Sequence, residues 1–121
     1  MAIVSKTIQS GFESRCDYHF MKMYILVKKS VESHKFVGVA HGVLMCHLRY
    51  HENENYKQWL DNSFRKVICE VSDQEFDMCK TVDKGVVVTE SSLGNQEIAL
   101  AFCPRPDDQW PKSFKFFKLL K

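Results

Sequence analysis

No stretch of this chain is apolar for anything like the roughly 20 residues a membrane-spanning helix needs. The first 20 residues also lack a continuous apolar segment, because Lys6, Glu13, Arg15 and Asp17 interrupt them, so no secretory leader is read there. Both absences make a cytoplasmic location the expectation, with no membrane partner. An excess of one charge is missing too: 17 Lys and Arg against 15 Asp and Glu leave a formal +2. That balance permits RNA contact without arguing for it, since nucleic-acid binders concentrate a larger basic excess. There is no C-x-x-C pair. The cysteines are odd in number, at Cys16, Cys46, Cys69, Cys79 and Cys103. They match no zinc-ligand spacing, so no metal is expected. Cys69 falls in a strand-like run and Cys79 in a helix-like one, which reads as reduced thiols used as small apolar side chains. Internal repeats and low-complexity segments are absent. At 121 residues the chain is long enough for one core. Residues 1–20 match no regular element and read as a flexible N-terminal arm; residues 21–121 read as the domain.

What is present is a set of short apolar runs separated by helical patterns. Met23 to Val27 is a continuous apolar run ending in Lys28 and Lys29, as in a strand buried on both faces. Phe36 to Tyr50 carries apolar residues at Phe36, Val39, Ala40, Val43, Leu44 and Leu48, which predicts an amphipathic helix with that stripe inward. Asn53 or Asn55 can cap a short second helix holding Tyr56, Trp59 and Leu60. Phe64 to Val71 reads as a second strand. Ser72 with Glu75 three residues on is a capping-box pattern, opening a third helix with Phe76, Cys79 and Val82 inward. Gly85 is expected to take the left-handed conformation that ends it. Val86 to Val88 and Ile98 to Cys103 read as two further strands joined by the polar loop Thr89–Asn95, short enough for antiparallel pairing. Asp107 or Asp108 can cap a last helix, with Trp110, Phe114 and Phe117 on its packing face. Strands alternating with helices and apolar throughout predict an α/β protein: a three-layer α/β/α sandwich with a mixed, mostly parallel four-stranded sheet.

In such a fold ligands bind outside the carboxyl ends of the strands, which places the start of the first long helix at the site. A helix N-terminus offers unpaired N–H groups and a partial positive charge, suited to phosphates and developing oxyanions. His41 lies early in that helix. Gly38 and Gly42, four apart, allow a backbone or a ligand to approach one helix face. Glu90 and the hydroxyls of Ser91 and Ser92 lie just past the third strand.

Four segments in this order resemble the type 2 peptidyl-tRNA hydrolase family, most closely its divergent peptidyl-tRNA hydrolase domain-containing branch. They are KMYILVK from Lys22 to Lys28, VGVAHG from Val37 to Gly42, RKVICEVSDQE from Arg65 to Glu75, and FKFFKLLK from Phe114 to Lys121. The resemblance covers residues 22–121. It implies hydrolysis of the ester that joins a peptide to the 3′ end of tRNA, with peptidyl-tRNA as substrate and no cofactor. The family histidine falls on His41 and its acidic residue on Glu90, one methylene longer than the usual aspartate. The family lysine falls on His34, with Lys35 the nearest cation, and the usual glutamine falls on Gly38. The threonine-bearing loop is shortened, so Ser91 or Ser92 would supply the hydroxyl. The resemblance thus implies His41, Glu90 and Lys35 as catalytic residues, with His34, Lys28, Lys29, Gly38, Ser91 and Ser92 around the substrate. A homodimer is compatible with it. A non-catalytic tRNA-binding or protein-interaction relative that keeps the fold is the alternative.

Overall fold

The computed structural model describes residues 3–4 and 21–120; the expected N-terminal arm lies outside them, apart from the two-residue strand β1, Ile3–Val4. The other strands are β2 (Met21–Lys28), β3 (Arg65–Val71), β4 (Gly85–Glu90), β5 (Gln96–Phe102), β6 (Arg105–Pro106) and β7 (Lys118–Leu119). Three α-helices are present among the described residues: α1 (Lys35–Tyr50), α2 (Glu54–Asn62) and α3 (Asp73–Cys79). All seven strands join one sheet, with path β1-β3-β2-β5-β4, β6 pairing β2 and β7 pairing β3.

This corrects the expected fold class. The chain is α+β, and its mixed sheet is mostly antiparallel rather than a mostly parallel four-stranded sheet within an α/β/α sandwich. Among the described residues only β2 and β3 pair in parallel; the other five pairings there are antiparallel. Continuous apolar strands report burial of both sheet faces, which parallel and antiparallel central strands share. Here β4 turns back into β5 through a tight loop, and β5 inserts between β4 and β2, antiparallel to both.

Strand β2 divides the core by its period of two. Met21, Met23, Ile25 and Val27 face Cys46 of α1 and Tyr56 and Trp59 of α2. Tyr24 and Leu26 face the other way, toward Phe76 and Cys79 of α3 and toward Trp110 and Phe114. The capping signals hold. Asn53 Oδ1 accepts the Tyr56 N–H at 3.1 Å, and Ser72 and Glu75 form the reciprocal box, with N–H···O distances of 3.1 and 2.8 Å. Two expectations do not hold. Gly85 opens β4 instead of ending α3, and Lys84 takes the left-handed conformation at φ 59°. A Cβ on Gly85 would lie 2.8 Å from the Phe102 ring. The last helix is replaced by two 3-10 turns, Asp107–Gln109 and Lys112–Phe116. Pro111 pushes the residue before it out of the helical region, and Trp110 is accordingly extended at φ −85°, ψ 148°. Trp110, Phe114 and Phe117 still pack on one face.

Helix α1 turns only part of the expected stripe inward: Val39 and Val43 pack against the core. Its buried residues are Gly38, Gly42 and Cys46, while Phe36, Val37, Leu44 and Leu48 are exposed. The glycines let the helix backbone lie directly on the sheet. A Cβ on Gly38 would sit 3.2 Å from Ile98 Cδ1, and one on Gly42 would sit 3.1 Å from Ala101 Cβ. Gly42→Ala should therefore destabilise the fold by about 1–2 kcal/mol through overpacking. This is despite the roughly 1 kcal/mol that helix propensity gives Ala over Gly. Urea unfolding checks it; an equal or higher midpoint would show that β5 yields to the methyl group.

Candidate functional site

At the carboxyl ends of β2 and β4 the chain gathers Ser33, His34, His41, Glu90 and Ser92. Strand β4 ends on Glu90, and a 3-10 turn over Ser91–Leu93 follows at once. Gly94 closes that turn in the left-handed region at φ 68°. Glu90 caps the turn: its Oε2 accepts the Ser92 N–H at 3.1 Å and the Ser92 hydroxyl at 2.8 Å. These two donors, hydroxyl first and backbone amide second, hold the Glu90 carboxyl below its ordinary range, with His34 and His41 adding positive potential. The side chain is only 13% exposed. Glu90 is thus a fixed carboxylate with one oxygen committed to Ser92.

The other oxygen, Oε1, lies 3.8 Å from His41 Nε2. That is beyond a direct hydrogen bond and leaves room for a bridging oxygen. His41 is half exposed, so the pair opens to solvent. His34, in the 3-10 turn Glu32–His34 before α1, adds a second imidazole. Its Nδ1 lies 2.8 Å from the Ser33 hydroxyl and its Nε2 lies 3.3 Å from the Ser92 hydroxyl. With the Ser92 O–H given to Glu90, the Ser92 oxygen can only accept from His34, so the neutral ring carries its proton on Nε2 and Nδ1 accepts from Ser33. A directed chain results, Ser33 to His34 to Ser92 to Glu90. Helix α1 begins directly after His34, so its positive dipole end lies beside the cluster.

The remaining sequence-predicted residues are placed elsewhere. Lys35 reaches away from this cluster. Its Nζ lies 2.5 Å from Glu70 Oε2, at the end of β3, and 3.3 Å from Glu32 Oε2. Glu70 above all, with Glu32, holds the Lys35 ammonium firmly protonated, and Lys35 in turn lowers the Glu70 carboxyl. Strands β3 and β4 are three positions apart in the sheet, about 14 Å at normal strand spacing, so this ion pair stands apart from Glu90. Gly38 lies under α1 against Ile98 and Ala99, where it meets the sheet and not a ligand. Lys28 stands over the Phe76 ring, 4.7 Å from its centroid. Lys29 is exposed at the strand end, its N–H donating to Val71 O at 2.8 Å. Ser91 is exposed beside Ser92.

Sequence reading missed Ser33, Glu32 and Glu70. Neither acid has a spacing that pairs it with Lys35 in the sequence, and the parallel register of β3 on β2 sets Glu70 beside Val27 near the strand end. Cys46 is no nucleophile, since burial pushes its thiol up to about 12. Among the described residues no three His, Cys, Asp or Glu side chains cluster as metal ligands do, and no helix is long and apolar enough to cross a membrane. Two concavities lie away from the cluster and hold none of the predicted site residues: about 370 Å³ beside Trp110 and about 280 Å³ beside Phe114. Comparison with protein-family models, with characterised proteins and with solved structures finds no match.

Proposed function

We propose that this protein hydrolyses the ester of peptidyl-tRNA, with a site divergent from the family its sequence resembles. The observation that carries the reading is the Glu90 carboxylate, pinned through one oxygen by Ser92 and presenting the other to His41. Ester hydrolysis needs an activated water, a stabilised oxyanion and a proton for the leaving oxygen. A water between Glu90 Oε1 and His41 Nε2 gives its proton to this pair as it attacks the ester carbon. The N–H groups at the start of α1 offer the oxyanion its donors. His41, once protonated, returns the proton to the departing 3′-oxygen of the ribose. The exposed ammonium of Lys29 suits the terminal phosphates, a contact that reads charge and not sequence. The tRNA leaving group is supported by the four segments of sequence resemblance.

A second reading is favoured by one specific observation. The cation expected beside the histidine, Lys35, is taken up by Glu70 and Glu32, which suits a relative that binds tRNA without turning it over. One assay separates the two. Purified protein is mixed with N-acetylated aminoacyl-tRNA, and release of free tRNA is followed. The hydrolase reading expects turnover. No cleavage with enzyme in excess of substrate removes it. Binding that falls steeply with salt, without cleavage, selects the second reading.

A further inference from the structure

We infer that the concavity beside Trp110 is a binding site for a small polyhydroxylated anion of the sugar-phosphate class. The inference is independent of the hydrolase reading. Lys22 and Tyr24, from the first half of β2, line the cavity, and it shares no residue with the cluster around Glu90. Its volume is about 370 Å³, within the range of small-molecule sites. Among the described residues, two buried side-chain polar atoms have no hydrogen-bond partner: Trp110 Nε1 and Asp107 Oδ1. Both residues line this one cavity. Buried polar groups are otherwise paired almost without exception, and the chain's other indole follows the rule, Trp59 Nε1 donating to Arg65 O at 2.7 Å. Two orphaned groups in the wall of one cavity point to a partner supplied from outside the chain.

The two groups define what the ligand carries. An indole N–H only donates and a carboxylate only accepts, so the ligand brings an acceptor for Trp110 and a donor for Asp107. A hydroxyl offers both. The rim adds cations: Lys112 and Lys115 are exposed beside the cavity, with Lys22 half-buried in its wall, and such ammoniums favour an anionic head. An anion without hydroxyls leaves Asp107 lacking a donor. An ammonium on the ligand meets Lys22 Nζ, which lies 3.7 Å from the same Asp107 oxygen. A nucleobase finds no ring face to stack on. Arg105 stands over the Trp110 ring at 4.5 Å and Phe114 stacks on it at 5.5 Å, while Lys22 stands over Tyr24 at 5.3 Å. A compact body with several hydroxyls and one phosphate meets every requirement. Its hydroxyls pair with Asp107 and the Trp110 N–H, and its phosphate with Lys112 and Lys115. Lys22, beyond hydrogen-bond reach of Asp107 Oδ1, is the movable wall that yields to the ligand.

Nitrogen–proton correlation spectra of the intact chain test this, because its two tryptophans give two indole signals that Trp110→Phe assigns. Titration with glucose-6-phosphate should move the Trp110 signal saturably, with a Kd of about 0.1–1 mM for a ligand of that size. The Trp59 signal, whose N–H is already paired, should stay in place. Sulfate and glucose each carry half of the recognised chemistry and should bind at least about tenfold more weakly. Replacing both exposed lysines, Lys112→Gln with Lys115→Gln, should weaken glucose-6-phosphate about tenfold and leave glucose unchanged. Neither side chain belongs to the core, so the fold is kept. A Trp110 signal that stays put to about 10 mM ligand, sulfate binding as well as the sugar phosphate, or equal shifts of both indoles would each overturn the proposal. A short single-stranded RNA that moves the Trp110 signal at lower concentration than glucose-6-phosphate would also overturn it and assign these lysines to a nucleic-acid face.

Discussion

Glu90→Gln is expected to lower kcat for the proposed ester hydrolysis by about 10²- to 10³-fold with KM changed only a few-fold, the range in which a positioned acid–base group acts. The substitution keeps the side-chain length, and its amide oxygen can still accept the Ser92 N–H and hydroxyl. What it removes is the negative charge and the free basic oxygen facing His41. A variant retaining a third or more of the parent kcat would take Glu90 out of the reaction. Ser92→Ala makes a finer test of the same geometry. The Ser92 hydroxyl is the largest cause of the lowered Glu90 carboxyl, so losing it raises that group toward its ordinary value. A base must be ionised to act. The acid limb of the kcat/KM profile should therefore move to higher pH in Ser92→Ala, while the plateau falls far less than in Glu90→Gln. An acid limb that stays in place would mean that some group other than Glu90 sets it.

Much of the fold could be read from local signals, and the failures share one cause. Caps, strand centres and turns are short-range features, and Asn53, the Ser72–Glu75 box and the β4–β5 hairpin all form as their residues dictate. Strand order and parallelism are long-range. Apolar runs look the same whether β5 lies beside β4 alone or between β4 and β2. The same limit explains α1. Periodicity identifies a helix, and hydrophobicity alone places its whole apolar stripe inward. At this interface closeness of approach outweighs side-chain area, and Gly38 and Gly42 against Ala99 and Ala101 set the orientation.

The candidate site divides in a similar way. The sequence resemblance suggests His41, Glu90 and either Ser91 or Ser92, and the structure gathers His41, Glu90 and Ser92 with His34. Spacing alone could not reveal that neighbouring residues His34 and Lys35 point in opposite directions along the strand ends, one toward the β4 loop and one toward β3. The ion pair of Lys35 with Glu70 depends on a parallel pairing with no local trace in the sequence.

The fold should fail abruptly in alkali, because its core is built with thiols. Burial pushes Cys46 and Cys69 up to about 12 and Cys103 to about 11, against an ordinary value of about 9. Tyr24 and Tyr56 are raised from about 10 to about 12. In each case the native state keeps a proton that the unfolded chain releases. The stability they allow is therefore fully present below about pH 9 and is lost as pH climbs toward 12. Lys66 has the opposite sign. Burial lowers its ammonium to about 8, so a native-state penalty present at neutral pH is relieved between about 8 and 10.5. The Phe64 ring 3.2 Å away and the Phe64 carbonyl at 3.1 Å favour the charged form and shrink that penalty. Each fully differential thiol costs about 1.4 kcal/mol per pH unit. Three of them outweigh one lysine, and by pH 11 the net loss is on the order of 5 kcal/mol, comparable to the whole stability of a small domain. Unfolding free energy from urea titrations should stay level or rise slightly from pH 8 to 9, then fall steeply, with spontaneous unfolding between about pH 10 and 11. Cys69→Val removes one titrating thiol from β3 while keeping an apolar side chain there, so the steep limb should lose about a third of its slope. A flat profile through pH 10.5, or an unchanged slope in Cys69→Val, would mean that these thiols meet water in the native state.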